Sequence, residues 1–147
     1  MFPVKNWIHI DGLANWIVIS FVTACCRLEQ GLPAGAVGPD RVFSKDDFRN
    51  DAADWLPWFR IENRRRLQGM FSTWKDLTEK YSCSIGNIST AWTLGQPGVT
   101  HVLLGNRSSH QAVSNADSGS FRLDDRDMKR IDADLVGRGS PIKRNAR

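Results

Sequence analysis

The residues best suited to chemistry run from Gly105 to Asn115, G-N-R-S-S-H-Q-A-V-S-N. They follow Val99 to Leu104, a β-branched and apolar run that reads as a strand. Ser108 with Gln111 three residues later matches a capping box that opens a helix. Gly105, Asn106 and Arg107 therefore fall in a tight strand-to-helix loop. A loop of this kind leaves backbone N–H groups pointing out of the helix start, where the dipole favours an anion. Arg107 adds a fixed charge and a planar fork that matches phosphate oxygens two at a time. The chemistry implied is phosphate binding; the competing use of such an arginine is to pair with a surface carboxylate. Gln111 and Asn115 lie one turn apart on one helix face.

The elements that must position this loop are legible in outline. Ile17 to Val22 is β-branched and aromatic, as in a strand covered on both faces. A long connection from about Cys26 to Phe59 carries Gly31, Pro33, Gly35, Gly38, Pro39 and Pro57. Loops this long inside a compact domain are often functional. Its D-D-F-R-N-D segment reads as a polar turn, and W-L-P-W-F as an aromatic anchor onto the core. From Arg64 to Tyr81, Leu67, Met70, Phe71, Trp74, Leu77 and Tyr81 recur at spacings of three and four, which predicts an amphipathic helix. A second helix starts at Ser84 and stops at Gly95 and Pro97. Asp124 is the N-cap of a closing helix with Leu123, Met128, Ile131 and Leu135 on one side.

Composition bounds the rest. The 147 residues, 41% apolar and 24% charged, are those of one globular domain. The net charge of +4 matches Arg138, Lys143, Arg144 and Arg147 in the last ten residues, so the remaining basic and acidic residues balance. That end reads as a flexible basic tail over 136–147, after a domain over 1–135. Cys25, Cys26 and Cys83 show no metal-ligand spacing and fit reduced thiols in a cytoplasmic protein. The apolar run from Trp16 to Cys26 is too short for a membrane span.

Taken with its surroundings, G-N-R-S-S-H-Q-A-V-S-N resembles the segment near the C-terminus of aldo/keto reductases that surrounds the adenosine end of NADPH. S-T-A-W-T-L-G-Q-P-G-V-T-H-V-L-L-G is similar to the family's penultimate helix, its turn and its eighth strand, and L-E-Q-G-L-P-A-G to the stretch after its seventh. The likeness is clearest from Leu28 to Leu135. It implies an α/β fold, a partial (β/α)8 TIM barrel of about strands 7 and 8 with their helices, and a role in NADPH-dependent carbonyl reduction. It also implies that Arg107 holds the 2′-phosphate, that Gln111 and Asn115 reach the adenine, and that Gly105, Asn106 and Leu28 complete the cofactor contacts.

Three departures qualify it. The family's tyrosine-serine-proline-leucine run after strand 7 is here Cys25, Cys26, Arg27 and Leu28, so only the leucine is retained. Ser114 stands where the family often has glutamate. A full barrel takes about 250 residues, and the family's catalytic aspartate, tyrosine, lysine and histidine, which lie in its first half, have no counterpart here. The resemblance therefore implies a cofactor-binding portion inactive alone, whose exposed barrel edges favour self-association or a complementary half. Tyr81 reads as a core residue and His101 as structural. A different class, a small helix-turn-helix-like nucleic-acid-binding or partner-binding module, draws on Arg64-Arg65-Arg66 and the basic tail. Against it, the second helix, N-I-S-T-A-W, has no cation to contact phosphates.

Overall fold

A computed structural model describes residues 22–25, 31–35 and 37–143. Most of the strand expected over 17–22 lies outside them, as do Leu28, Cys26 and residues 144–147 of the expected tail. Two strands, β1 (Val22–Cys25) and β2 (Val99–Leu103), pair in parallel with Thr23 opposite His101 and Cys25 opposite Leu103. Parallel partners require a crossover. Here it is helical: α1 (Ala52–Trp55), a single 3-10 turn at Pro57–Phe59, α2 (Ile61–Ser72), α3 (Lys75–Lys80) and α4 (Ile85–Leu94). After β2 come α5 (Ser109–Ala116), a short 3-10 turn and α6 (Asp125–Arg138).

The apolar stripe of 64–81 is present but carried by two helices, and the first begins at Ile61 rather than Arg64. The break has a local cause. The Ser72 and Thr73 hydroxyls bond back to the carbonyls of Gly69 and Met70, both at 2.7 Å, so side chains compete with the helix ladder. The Thr73 carbonyl is taken by the Arg130 guanidinium, which also pairs with Asp76. The stripe survives because Leu67, Phe71, Trp74 and Leu77 all remain buried. They pack with Ile88 and Trp92 of α4, Ile131 of α6, and Trp58 and Phe59 from the aromatic anchor. Complete burial of a residue such as Ile131, 0% exposed, contributes about 2 kcal/mol.

Two tryptophans orient α6 through their ring N–H groups. Trp74 donates to Asp134 at 2.8 Å and Trp92 to Asp132 at 2.9 Å. At the start of α6, Asp124 caps the amide of Asp127. The helix continues past 135 to Arg138, and Gly139, with φ +68°, turns the chain back. The Arg138 guanidinium then lies 4.2 Å from the Trp58 ring centroid. Asn63, fully buried, donates to the carbonyls of Pro57 and Ile142 and accepts from the Ile142 amide at 3.0 Å. The basic stretch expected as a flexible tail is thus α-helical to Arg138 and hydrogen-bonded at Ile142.

The triple arginine is also put to structural use. Arg64 donates to the carbonyls of Gly38 and Arg41, at 3.0 and 2.9 Å, closing the long connection onto α2. Arg66 reaches the carbonyls of Arg138 and Ser140. Only Arg65 of the three is fully exposed. Among the described residues no helix is long and apolar enough to cross a membrane.

Candidate functional site

β2 delivers the chain into the loop at Gly105–Arg107, and Ser108 ends it by accepting the Gln111 amide at 3.2 Å as the N-cap of α5. The expected capping box is only half formed. The Gln111 side-chain oxygen reaches one residue further, accepting the backbone N–H of Arg107 at 2.8 Å. Asn115, one turn on, donates to the Asn106 side-chain oxygen at 2.5 Å. The i and i+4 pair of α5 therefore clamps two successive loop residues. Each amide keeps one polar end uncommitted among the described residues, the NH2 of Gln111 and the oxygen of Asn115.

What fixes α5 is Asn87, 6% exposed on the first turn of α4. Its NH2 donates to the Ser114 carbonyl at 2.5 Å and to the buried Ser118 hydroxyl at 2.8 Å. Its oxygen meanwhile accepts the Ser84 amide at 3.1 Å, completing the capping box of α4. The loop's geometry is thereby tied to the core through one buried amide.

Gly105, Asn106 and Arg107 are exposed. Gly105 has no positive φ, and a Cβ there would meet nothing within 4 Å. Neither backbone conformation nor internal packing demands glycine at 105, which leaves room for a ligand to approach the main chain. The Arg107 guanidinium makes no hydrogen bond or ion pair within the described residues; it lines an open cleft of about 290 Å³ with Ser44, Asp46, Asp47 and Phe48. These four come from the D-D-F-R-N-D turn and its flank. Asp47 accepts from the Arg49 amide at 3.0 Å and from its guanidinium at 2.9 and 2.5 Å. Those bonds, with a smaller contribution from the Arg107 charge, hold the Asp47 carboxyl well below the ordinary carboxylate range. The cleft thus sets one exposed cation and an aromatic ring, Phe48, 55% exposed, against two carboxylates beside the first turn of α5.

The sequence pointed to the Arg107 side of this cleft and missed the wall opposite. The wall's signals were the length of the connection that supplies it and the polar turn read at D-D-F-R-N-D. Leu28 lies outside the described residues.

A second polar cluster brings tyrosine, lysine and aspartate together away from this loop. Tyr81 donates to Asp127 at 2.8 Å and accepts the Asp124 amide at 3.0 Å, and Lys80 donates to Asp124 and Asp127 at 2.6 and 2.7 Å. The two carboxylates hold the Lys80 ammonium well above its ordinary pKa, and the Tyr81 hydroxyl is engaged both as donor and as acceptor. The cluster fastens α3 to the start of α6. Tyr81 is half-buried and stacks on Phe121, in the structural role its spacing implied. His101 is exposed on β2 beside Thr100. Burial raises the pKa of the free Cys83 thiol. No group of three or more metal-ligating side chains occurs among the described residues.

Comparison with known proteins matches these features to one family. The sequence pattern described as "Aldo/keto reductase family" matches residues 22–135. Among solved structures, the chain is similar to the glycerol dehydrogenase AKR11B4 from Gluconobacter oxydans, with 26% identity and a TM-score of 0.68. The similarity covers 87% of this chain and 38% of that one. The chain thus spans well under half the length of the enzyme it resembles. No curated protein sequence matches. With a family match over most of its length, a mixed α/β architecture and a fold shared with a solved dehydrogenase, the chain belongs to the aldo/keto reductase family.

Proposed function

We propose that this chain forms the adenosine-phosphate part of an NADPH site in an aldo/keto reductase, from about the seventh and eighth βα units of a (β/α)8 barrel. Carbonyl reduction then requires the remaining units, in the same polypeptide or supplied by another. The observation that carries the reading is the exposed Arg107 guanidinium, without a hydrogen bond or ion pair within the described residues, on a strand-to-helix loop where Gln111 holds the Arg107 backbone and Asn115 holds Asn106.

In this reading Arg107 grips the 2′-phosphate and Gly105 admits it to the backbone. The uncommitted ends of Gln111 and Asn115 face the adenine, Asn106 is held in place by Asn115, and Leu28 contacts the pyrophosphate. When bound, the nicotinamide cofactor supplies the hydride. No residue of this chain is assigned to proton donation, because Tyr81 and Lys80 are committed to α6. The substrate is a small carbonyl compound, and the setting is cytoplasmic. Exposed Leu103 on β2 and Val113 on α5 are apolar surface that further barrel units or a second copy would cover.

Quenching of tryptophan fluorescence on the full chain tests the reading. NADPH is expected to bind about tenfold more tightly than NADH, and Arg107→Ala to erase that difference, as loss of one charge-assisted contact implies. Equal binding of both cofactors that Arg107→Ala leaves unchanged refutes it.

A further inference from the structure

The cleft beside Arg107 has an acidic wall, and its two carboxylates are not equivalent. Asp47 is neutralised within its own turn by the Arg49 amide and guanidinium, and Arg49 is braced in turn by the Phe43 ring, 4.7 Å from its centre. Asp46 is exposed and makes no hydrogen bond or ion pair within the described residues, yet it lines the same cleft as Arg107. The cleft thus holds Arg107, whose charge also acts on Asp47, together with one carboxylate, Asp46, that has no hydrogen-bond or ion-pair partner within the described residues.

On the basis of the function proposed above, we infer that Asp46 is a specificity-determining residue. It opposes the 2′-phosphate that Arg107 attracts, and so opens the site to adenosine cofactors with a free 2′-hydroxyl. An ionised carboxylate only accepts hydrogen bonds. It welcomes a ribose hydroxyl and repels a phosphate dianion, whereas Arg107 does the reverse. With both in one cleft, NADPH keeps an advantage over NADH that is smaller than an arginine alone would give. The carboxylate acts across solvent, so its effect is modest and screened by salt.

Calorimetric titration of the full chain with 2′-phospho-AMP and with 5′-AMP measures this directly. Asp46 is exposed, so Asp46→Asn removes the charge without disturbing the core. The variant is expected to bind 2′-phospho-AMP about fivefold more tightly at low salt, with 5′-AMP binding unchanged or weaker, and the gain shrinking toward 1 M salt. An Asp46→Asn chain with an unaltered ratio of the two affinities overturns the role of Asp46, even if Arg107→Ala abolishes the 2′-phosphate preference. A wild-type chain with no Arg107-dependent preference overturns the parent reading and this one together.

Discussion

Truncating Asn87 to alanine is the sharpest probe of how the loop is held. The side chain is 6% exposed and makes four contacts: to the Ser114 carbonyl, to the Ser118 hydroxyl, and from the amide and the hydroxyl of Ser84. Each such bond contributes about 1 kcal/mol net, and a buried partner left unsatisfied costs about 1–3 kcal/mol more. Ser118 is 1% exposed and cannot turn to solvent. The expected loss is therefore about 3 kcal/mol, which for a domain of this size lowers Tm by about 10 °C. Urea unfolding followed by tryptophan fluorescence measures it, since three of the four tryptophans among the described residues, Trp58, Trp74 and Trp92, are buried in the core. A double-mutant cycle adds discrimination. Ser118→Ala removes the stranded hydroxyl, so Asn87→Ala combined with Ser118→Ala is expected to cost less than the two single losses added, by about 1 kcal/mol. A loss under about 0.5 kcal/mol for Asn87→Ala, or strict additivity, would refute the claim that this amide ties α5 to α4.

Other outcomes follow from the packing and the charges. Trp74→Phe keeps most of the ring's burial but loses the 2.8 Å bond to Asp134, and a cost of about 1–2 kcal/mol in the same unfolding assay is expected; no change would contradict the anchoring of α6 through that ring. Hydrogen bonds from Lys80 and the Asp127 amide depress the Asp124 carboxyl, and the Arg130 guanidinium depresses that of Asp76. A depressed folded pKa stabilises the folded chain above the ordinary carboxylate value near 4, and that stability is lost as pH falls through the folded value. Asp124→Asn, which preserves the helix cap, is expected to flatten the fall in unfolding free energy as pH drops below about 4. An unaltered acid slope would contradict the pairing. At the alkaline end, the raised Lys80 pKa contributes stability that is present below its ordinary value and is lost as pH rises through the folded one.

What could be read from the sequence was what neighbours in the chain decide. Ser84, Ser108 and Asp124 each cap a helix with a hydroxyl or carboxylate reaching three residues forward, and all three starts stand where the sequence places them. Arg107 is legible for the same reason, since a strand, a short loop and a cap fix its setting. Reading failed where distant segments meet. Arg64 and Arg66 look like a solvated basic run, yet they reach carbonyls of residues 38, 41, 138 and 140, which no periodicity reveals. The break at Thr73 was hidden because the apolar stripe continues across it. Gln111 was assigned to the Ser108 amide by the capping rule and instead holds Arg107. Asp46 and Asp47 lie about sixty residues before Arg107, so the acidic wall of the cleft emerges only when the long connection folds back.

The central proposal is a phosphate held at the loop between β2 and α5. Backbone amide NMR of the full chain during titration with 2′-phospho-AMP tests it most directly. Saturable shifts confined to residues 105–111 and 44–48, and absent in Arg107→Ala, are the predicted result. Shifts centred elsewhere, such as the apolar groove between Leu32, Val37 and Phe71, or shifts that persist unchanged in the variant, would contradict it.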